Sequence, residues 1–212
     1  MYHAAAVHFK DWAVDLSLTI HQKCSDFGED QATVWDGARV LSAYLADRQH
    51  FADDFWKGKR VLELGAGTGM CGLTLGMLGA IVIVTELAEV VPVLRENIEI
   101  NRLQHACTAE ELPWGEHQSF EWFQSSAPFD VVIGCEVAYA VSFQKQLVET
   151  LVASCKRETL VFIGHEHRWK DVDEWFLEEI GKYFECETIP LAHHNEHYRC
   201  PNISIYKLRL KV

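Results

Sequence analysis

From residue 57 onward, short apolar runs alternate with amphipathic segments, and this alternation limits the possible folds more than any other feature. In the amphipathic segments apolar residues recur every three or four positions, as Val90, Leu94 and Ile98 do, which is typical of helices. The pattern predicts a doubly wound α/β sheet of seven strands. The last strand is expected to be antiparallel, because NISIYKLRL (202–210) alternates as one strand of a terminal hairpin does. The five predicted parallel strands lie within RVLELG (60–65), IVIVTE (81–86), HACTAEELPWG (105–115), FDVVIGCE (129–136) and TLVFIGHE (159–166).

The segment before residue 57 is too short for a second domain. It contains the strand-like run VDLSLTI (14–20) and a predicted helix from Asp36 to about Arg48. We therefore expect one domain over residues 1–212. Its extension, residues 1–56, is expected to pack against the edge of the sheet where a ligand binds.

Charge and cysteine content exclude several classes of partner and compartment. The formal net charge of −12 disfavours binding to nucleic acid and to anionic membranes. The seven cysteines are odd in number and form no C-x-x-C pair, which indicates reduced thiols and predicts a location in the cytoplasm or nucleus. No segment has the pattern of a signal peptide, and no apolar run approaches the roughly 18 residues that a membrane span needs. We expect a monomer that binds neither nucleic acid nor membranes.

The stretch VLELGAGTGMCGL (61–73) places glycines directly after the first predicted parallel strand. Ligands of open α/β sheets bind beyond the carboxyl ends of the strands. There, glycines let the backbone approach the ligand and the helix N terminus offers free N–H groups. Gly65, Gly67 and Gly69 depart from the G-x-G-x-x-G pattern of dinucleotide sites, because Met70 stands at the third glycine position.

Two acidic residues refine the prediction of the ligand. Glu63 is expected inside the turn and facing the ligand, where its carboxylate would repel a pyrophosphate and attract an ammonium. Glu86 lies 21 residues after Gly65, close to the spacing of about 20 at which an acidic side chain meets ribose hydroxyls. S-adenosylmethionine has an ammonium, a sulfonium and a ribose but no phosphate, so it is the predicted cofactor. A ligand-free strand–helix turn and an NAD-dependent oxidoreductase are the alternatives.

Five motifs resemble those of the seven-β-strand protein-lysine methyltransferases of family 16, the methyltransferase-like 21 group. The motif at residues 33–45, TVWDGARVLSAYL, is the most specific, because other Rossmann-like methyltransferases have no reason to carry VWD before the sheet. The resemblance implies a class I, Rossmann-like methyltransferase fold and transfer of methyl groups to a lysine of a protein substrate such as a chaperone or an elongation factor. The motifs are TVWDGARVLSAYL (33–45), VLELGAGTGMCGL (61–73), VTELAEVVPVLRENIEIN (84–101), ELPWG (111–115) and VVIGCEVAY (131–139).

The resemblance also implies which residues hold the amino-acid part of S-adenosylmethionine. The backbone of Gly65, Ala66 and Gly67 would bind it, and Glu63 and Gly69 would shape that pocket. These positions agree with the glycine turn identified from the residues alone.

The remaining cofactor contacts are likewise implied by position in the family motifs. Trp35 would cover the methionine end of the cofactor, and Glu86 would hold the ribose. Trp114 would lie against the adenine, for which a flat π surface is suited. Cys135 would line the adenosine pocket at the end of the fourth parallel strand.

The D-x-x-Y signature of the family corresponds here to EVAY, so that Glu136 replaces the aspartate and Tyr139 follows it. A lysine ammonium has a reference pKa of about 10.4 and no lone pair, and a neighbouring sulfonium lowers that pKa by repulsion. Glu136 is expected to orient the amine, and Tyr139 to complete the channel that aligns nitrogen, methyl and sulfur. No metal is expected to take part. In the alternative interpretation, Glu136 only caps a helix and Tyr139 only packs in the core.

Histidine-rich segments are a second candidate for chemistry. The loop between the last two strands contains five residues of metal-ligating types, but proximity in sequence does not make them converge. We expect a surface loop or part of a substrate rim there. His165 and His167 end the fifth parallel strand and are expected to be structural. The five loop residues are His193, His194, Glu196, His197 and Cys200.

Two further functions remain open from the sequence. The same scaffold could methylate a small-molecule amine or another side chain, or it could bind the cofactor or a partner without turnover. The intact glycines and both acidic residues favour turnover over a passive scaffold.

Overall fold

The computed structural model describes residues 2–9, 16–23, 33–139 and 141–211. Strands and helices alternate along most of this length. In chain order the elements are β1 Tyr2–Phe9, β2 Leu16–Lys23, α1 Asp36–Leu45, β3 Arg60–Leu64, α2 Met70–Met77, β4 Ile81–Glu86, α3 Val91–Ile100, β5 Cys107–Glu111, α4 Glu121–Ser126, β6 Val131–Cys135, α5 Val141–Ser154, β7 Leu160–Glu166, α6 Lys170–Gly181, β8 Phe184–Thr188 and β9 Ile203–Leu210.

Seven of the strands form one sheet in the order β5-β4-β3-β6-β7-β9-β8. Neighbouring strands from β5 to β7 in this order are parallel. Strand β9 is antiparallel to both β7 and β8. The predicted doubly wound sheet with an antiparallel last strand is therefore confirmed, and the carboxyl ends of β3, β4, β6 and β7 meet at one edge.

Apolar side chains cover both faces of the sheet, as the unbroken apolar runs in the central strands require. Helices α1, α2 and α3 pack on one face through side chains such as Leu41, Leu73 and Leu94. Helices α4, α5 and α6 pack on the other face through Phe123, Leu147 and Phe176. The two layers hold the turns at the carboxyl edge in fixed positions.

The predicted boundaries differ from the observed ones mainly outside the sheet. Helix α1 begins at Asp36 as predicted but ends at Leu45, three residues before the predicted end. Two elements were not predicted, namely strand β1 and the short helix α4. The run AAAV in β1 gives little strand signal, because alanine has a low preference for strands. Val14 and Asp15 of the predicted run VDLSLTI lie outside the described residues.

Strands β1 and β2 form a separate antiparallel pair that is tied to helix α3 and the glycine turn. Asn97 makes the connection and is fully buried. Its Nδ2 donates to the carbonyls of His21, at 3.0 Å, and of Thr68, at 2.9 Å. Its Oδ1 accepts from the backbone N–H of His21 at 2.7 Å. One amide thus satisfies backbone groups of β2 and of the turn after β3.

Among the described residues, no helix combines the length and the apolar character that crossing a membrane takes.

Candidate active site

The turn between β3 and α2 is built from three glycines with left-handed backbone conformations. The φ angles of Gly65, Gly67 and Gly69 are 59°, 55° and 81°. Other residues rarely adopt this region, because Cβ approaches the backbone too closely. The turn is closed by a bond from the N–H of Gly69 to the carbonyl of Ala66 at 2.7 Å. It is held to β4 by a bond from the Ala66 N–H to the carbonyl of Thr85 at 2.9 Å.

Glu86 ends β4 and reaches the glycine turn. Its Oε1 accepts from the N–H of Gly67 at 3.3 Å, and its Oε2 accepts from the N–H of Leu87 at 2.7 Å. Burial raises the pKa of this carboxyl above its ordinary value, against the lowering effect of both N–H donors. The structure therefore brings Glu86 to the turn, which is the position that its spacing from Gly65 predicts for contact with a ribose.

The structure corrects the predicted position of Glu63. This residue lies within strand β3, in register with Val84 and Ile133, and not inside the turn. Its side chain is almost fully buried, and its Oε2 accepts from the N–H of Gly72 in helix α2 at 2.8 Å. Burial raises the pKa of the carboxyl well above the ordinary value, and the Cys71 thiol adds to the effect. Glu63 thus fixes the first turn of α2 behind the glycine turn, and a direct role in cofactor binding stays a prediction.

Trp114 lies directly over the glycine turn. A Cβ at Gly65 would lie 2.9 Å from Cζ2 of Trp114 and 2.9 Å from Cγ1 of Val137. The indole packs with the core on the α4–α6 face of the sheet. An aromatic face beside the first glycine of the turn is what stacking on an adenine requires.

Cys135 does not share a wall with Trp114, although both were predicted to contact the adenosine. Cys135 packs on the opposite face of the sheet, with α1 and α2. Its Sγ would lie 3.1 Å from a Cβ at Gly37 and 3.0 Å from a Cβ at Gly164. Burial raises the pKa of its thiol well above the ordinary value. The structure therefore separates this residue from the predicted adenine contact.

Glu136 follows β6 directly and has a left-handed backbone, with φ 55°. A non-glycine residue in this conformation is strained, and such strain occurs preferentially at functional sites. Its Oε1 accepts from the N–H of Glu166, at the end of β7, at 3.1 Å. Only 9% of the side chain is exposed. The carboxylate fits there because Gly37 lacks a side chain: a Cβ at Gly37 would lie 2.0 Å from Oε1.

The electrostatic surroundings raise the pKa of Glu136 to about 7. Burial is the main cause, and the neighbouring carboxylates of Glu166 and Asp36 add to it. The guanidinium of Arg168 and the N–H of Glu166 lower the pKa and offset part of that effect. A carboxyl group whose pKa is close to neutrality, at the end of a parallel strand, is a candidate for contact with a titrating substrate group.

Tyr139 lies near the opening of the site and is 53% exposed. Burial raises the pKa of its phenol, and the carboxylate of Glu86 adds to the effect. Tyr139 and Glu136 line one open cleft with about 230 Å³ of empty space, solvent included. The structure therefore brings together the two residues that the E-x-x-Y motif predicted as catalytic. The other lining residues are His165, Glu166, Arg168, Trp169, Val172 and Asp173.

A cluster around Arg168 was not predicted from the sequence. The guanidinium carbon lies 4.7 Å from the centre of the Trp35 ring, a distance typical of a cation–π contact. Its nitrogens bind Oε2 of Glu166, from Nε at 2.8 Å and from Nη2 at 2.5 Å. Nη2 also lies 3.6 Å from Oε2 of Glu136. The available signal was position, because Arg168 follows β7 at the edge where Glu136 follows β6.

His165 and His167 both bind Asp173 of helix α6. Nε2 of His165 lies 2.6 Å from Oδ1 of Asp173, and Nδ1 of His167 lies 2.8 Å from Oδ2. Nε2 of His167 lies 2.8 Å from the hydroxyl of Ser204. Burial lowers the pKa of His165, which favours the neutral ring. The bonds join β7, α6 and β9 at one wall of the cleft, and they are of the kind that a structural role for both histidines predicts.

The histidine-rich loop does not bring its potential ligands together. Among the described residues, His165, His167 and Asp173 are the group of metal-ligand types that converges, with ligand atoms within 4.8 Å of one another. His194 is buried at 4% exposure, whereas His197 is half exposed. Nε2 of His50 contacts the carbonyl of His193 at 2.8 Å, so the start of this loop packs against the segment after α1.

The geometry of the site agrees with comparisons to known proteins. The sequence profile of a family described as lysine methyltransferase matches residues 13–183. The chain belongs to this family. Membership confirms the predicted resemblance, and with it the predicted class of reaction, S-adenosylmethionine-dependent methylation of protein lysine.

Named relatives cover most of the chain. The protein-lysine methyltransferase METTL21E of Mus musculus is 31% identical over 183 residues, which are 85% of this chain and 71% of the relative. The EEF1A lysine methyltransferase 3 of Xenopus tropicalis is 31% identical over 206 residues, 95% of this chain and 84% of the relative. The protein-lysine N-methyltransferase EFM6 of Saccharomyces cerevisiae is 28% identical over 207 residues, 87% of this chain and 84% of the relative.

Solved structures support the fold. A 16S rRNA methyltransferase of T. thermophilus (RsmC), solved with AdoMet and guanosine, superposes on the whole chain with a TM-score of 0.68 at 18% identity. This chain spans about half of that larger protein, 51% of its length. A TehB-like SAM-dependent methyltransferase of Corynebacterium glutamicum superposes with a TM-score of 0.58 at 16% identity. The superposition covers 84% of this chain and 89% of the other protein. The class I methyltransferase fold is thereby confirmed.

Gly37→Ala is expected to lower methyl transfer by up to about 10²-fold, since misplacing a reacting group by about 1 Å has effects of that size. The added Cβ would lie 2.0 Å from Oε1 of Glu136, so the carboxylate must move and give up its bond to Glu166. Steady-state rates measure the loss. Gly181→Ala is the control, because a Cβ there meets no heavy atom within 4 Å. Unchanged rates in Gly37→Ala would contradict the assigned position of Glu136.

Proposed function

We propose that Glu136 and Tyr139 receive the side chain of a substrate lysine, while the turn after β3 holds S-adenosylmethionine beside them. The observation that carries the proposal is the position of Glu136. Its side chain is only 9% exposed, and its backbone has a strained, left-handed conformation. The residue follows β6, which lies between β3 and β7 in the sheet, so it is one strand away from the glycine turn. An anionic group in this position attracts an ammonium and orients it towards the turn.

The residues around the turn fit the cofactor. Gly65 has no Cβ, so the space beside Trp114 and Val137 that a Cβ would fill stays free. The carboxylate of Glu86 stands at the turn with both oxygens directed by backbone N–H groups, which is the acidic position that ribose hydroxyls require. Trp114 offers an aromatic face for the adenine, and Trp35 stands at the start of α1, 37% exposed. When bound, S-adenosylmethionine supplies an electrophilic methyl group on a sulfonium.

Glu136 acts on the substrate amine through its charge. The carboxylate pairs with the ammonium and aligns its nitrogen. Tyr139 narrows the opening of the cleft, and its phenol stays protonated because its pKa is raised. Alignment in a narrow channel supplies much of the rate of such a displacement.

The substrate is a lysine of a protein, and we propose an elongation factor or a chaperone as the first candidates. Three observations support a protein substrate. The cleft opens directly to the surface beside the exposed ring of Tyr139. The net charge of −12 suits a basic partner surface. A relative that matches this chain over 84% of the relative's length is named an EEF1A lysine methyltransferase.

The extension formed by residues 1–56 is proposed to complete the cofactor edge. The start of α1 supports this role, because Gly37 packs against Glu136 and Cys135. Asn97 also ties β2 to the carbonyl of Thr68 in the glycine turn. The monomeric state and the cytoplasmic or nuclear location stay predictions, which size-exclusion chromatography and microscopy of a tagged protein will test.

The test incubates the purified protein with tritiated S-adenosylmethionine and a cell extract, then separates the products on a gel. We expect labelled protein bands that disappear with Glu136→Gln and persist with Glu99→Gln, an exposed carboxyl on α3. Label confined to small molecules would contradict a protein substrate. Isothermal titration with S-adenosylhomocysteine and with NADH tests the cofactor separately, and tight binding of NADH alone would overturn the proposal.

A further inference from the structure

Arg168 directs its positive charge into the part of the cleft where the proposed substrate amine would lie. Three groups from separate elements surround its guanidinium: the Trp35 ring before α1, the Glu166 carboxylate at the end of β7 and the Glu136 carboxylate after β6. An aromatic face with carboxylates beside it is a binding site for an organic cation. In the structure this site is filled by a side chain of the protein itself.

Only one oxygen of Glu136 is available to a cation. Oε1 already accepts from the N–H of Glu166, and it faces Gly37, where even a methyl group would collide with it. Oε2 faces Nη2 of Arg168 at 3.6 Å. A substrate ammonium that binds Glu136 must therefore approach the oxygen towards which Arg168 points.

Building on the proposed role of Glu136, we propose that Arg168 is an internal surrogate of the substrate lysine. In the free protein its guanidinium occupies the cation site formed by Trp35, Glu136 and Glu166. The substrate ammonium displaces it from Trp35 and Glu136 when the protein substrate binds, while Arg168 stays paired with Glu166. The exchange replaces one cation by another, so the two carboxylates do not lose their counter-charge at any stage.

The contacts of Arg168 allow it to leave. Its distance of 3.6 Å to Glu136 exceeds a hydrogen bond, whereas its bonds to Glu166 are short. Glu166 is two residues away in the chain and 30% exposed, and the side chain of Arg168 is 28% exposed. Arg168 can therefore turn towards solvent and keep its closer partner. The contact that must break, from Nη2 of Arg168 to Oε2 of Glu136 at 3.6 Å, is longer than a hydrogen bond, so the substrate ammonium can replace it.

Arg168→Lys tests the inference, because the introduced lysine would itself be the methyl acceptor. The lysine Nζ corresponds, along the side chain, to the guanidinium carbon of Arg168. After loss of its proton to solvent, Nζ attacks the methyl carbon, the N–C bond forms as the C–S bond breaks, and the sulfonium becomes the thioether of S-adenosylhomocysteine. We expect methylated Lys at position 168 by mass spectrometry, at a rate per molecule that does not depend on protein concentration.

The matched control is Arg48→Lys. Arg48 also pairs with a carboxylate, Asp53 at 2.8 Å, but it lines a different cleft, beside Phe51 and Trp56. This residue is expected to stay unmodified. An unmodified position 168, in a preparation that labels protein bands in extract, would overturn the inference alone. If the wild-type protein labels nothing and position 168 is also unmodified, the proposed function fails and the inference falls with it.

Arg168→Ala separates competition with substrate from a positioning role. A competing side chain raises the KM for substrate, so its removal is expected to increase labelling of extract bands at limiting extract by about fivefold, the size of effect of one exposed ion pair with a cation–π contact. Because Arg168 also lowers the pKa of Glu136, the rate at saturating extract is compared well above neutral pH, where Glu136 is anionic with or without Arg168, and it is not expected to fall there. A fall in this rate would show that Arg168 supports Glu136 instead of competing with substrate, and would overturn the inference.

Discussion

Glu136→Gln is expected to lower the rate of methyl transfer by about 10²- to 10³-fold, the range typical of a lost charged group that acts on the reacting atoms. Glutamine keeps the length of the side chain, and its carbonyl can accept the N–H of Glu166 as Oε1 does. It carries no negative charge to attract the ammonium. Initial rates at saturating S-adenosylmethionine measure the loss, and titration with S-adenosylhomocysteine is expected to give an affinity within about twofold of the wild type.

The pH dependence of the reaction reports on the same carboxylate. The pKa of Glu136 is raised to about 7, so the anionic form is the minority below that pH and the majority above it. Activity that needs the anion must therefore rise with pH through neutrality. A bound sulfonium favours the anion and moves this rise to lower pH. Glu136→Gln is expected to remove the rise near neutrality and to keep only the steady increase from deprotonation of lysine, whose reference pKa is about 10.4.

Glu99→Gln provides the control for charge alone, because Glu99 lies exposed on α3, away from the cleft. Its rate and pH profile should match those of the wild type. Glu136→Asp restores the residue of the D-x-x-Y signature and keeps the charge, so it should retain much more activity than Glu136→Gln. A Glu136→Gln protein with a wild-type rate and pH profile would show that the carboxylate serves only to cap or pack.

The sheet and the glycine turn were predictable because their signals are local. Unbroken apolar runs mark buried parallel strands, and the carboxyl ends of such strands meet at one edge. Glu86 illustrates the consequence. Strands β3 and β4 run side by side from Arg60 and Ile81, so the acidic residue that ends β4 must lie beside the turn that follows β3. Spacing along the chain therefore suffices to place it.

The face of the sheet on which a side chain lies, and its position along the strand, were harder to predict than the edge at which a strand ends. Glu63 was expected in the turn, but the parallel ladders of β3 continue through it, pairing it with Val84 and Ile133. Cys135 shares a face with Ile133 by strand alternation, yet both faces of β6 are apolar, so the sequence does not indicate which helices cover that side. Trp114 follows β5 in a turn, where alternation no longer applies.

The position of Arg168 after β7 indicates the edge of the sheet at which it lies, but the cation site around it could not be predicted, because the other parts of the site are far apart in sequence. Trp35 precedes α1, Glu136 follows β6 and Glu166 ends β7. Only the packing of α1 over the ends of two strands brings them together, and Gly37 permits that packing by leaving space for the Glu136 carboxylate. Contacts of this kind depend on the tertiary fold, and neither hydrophobic periodicity nor motif spacing predicts them.

Gly65→Ala is expected to weaken cofactor binding by about tenfold, which is the effect of losing one base–aromatic stack worth about 1–3 kcal/mol. The new Cβ would lie 2.9 Å from both Trp114 and Val137, closer than real Cβ atoms approach their neighbours. The indole must move away from the turn, and the adenine then loses its stacking surface. Titration calorimetry with S-adenosylhomocysteine measures the affinity.

Backbone strain alone could produce a similar loss, and Gly58→Ala separates the two causes. Gly58 has a φ of 74°, comparable to the 59° of Gly65, but a Cβ there meets no heavy atom within 4 Å. Both variants therefore carry the strain of a left-handed alanine, about 1–2 kcal/mol, and Gly65→Ala adds the cost of displacing Trp114, so its loss of thermal stability should be the larger. Only Gly65→Ala should also lose cofactor affinity. Equal affinities in the two variants would place the adenine elsewhere than against Trp114, since the turn would then tolerate displacement of that ring.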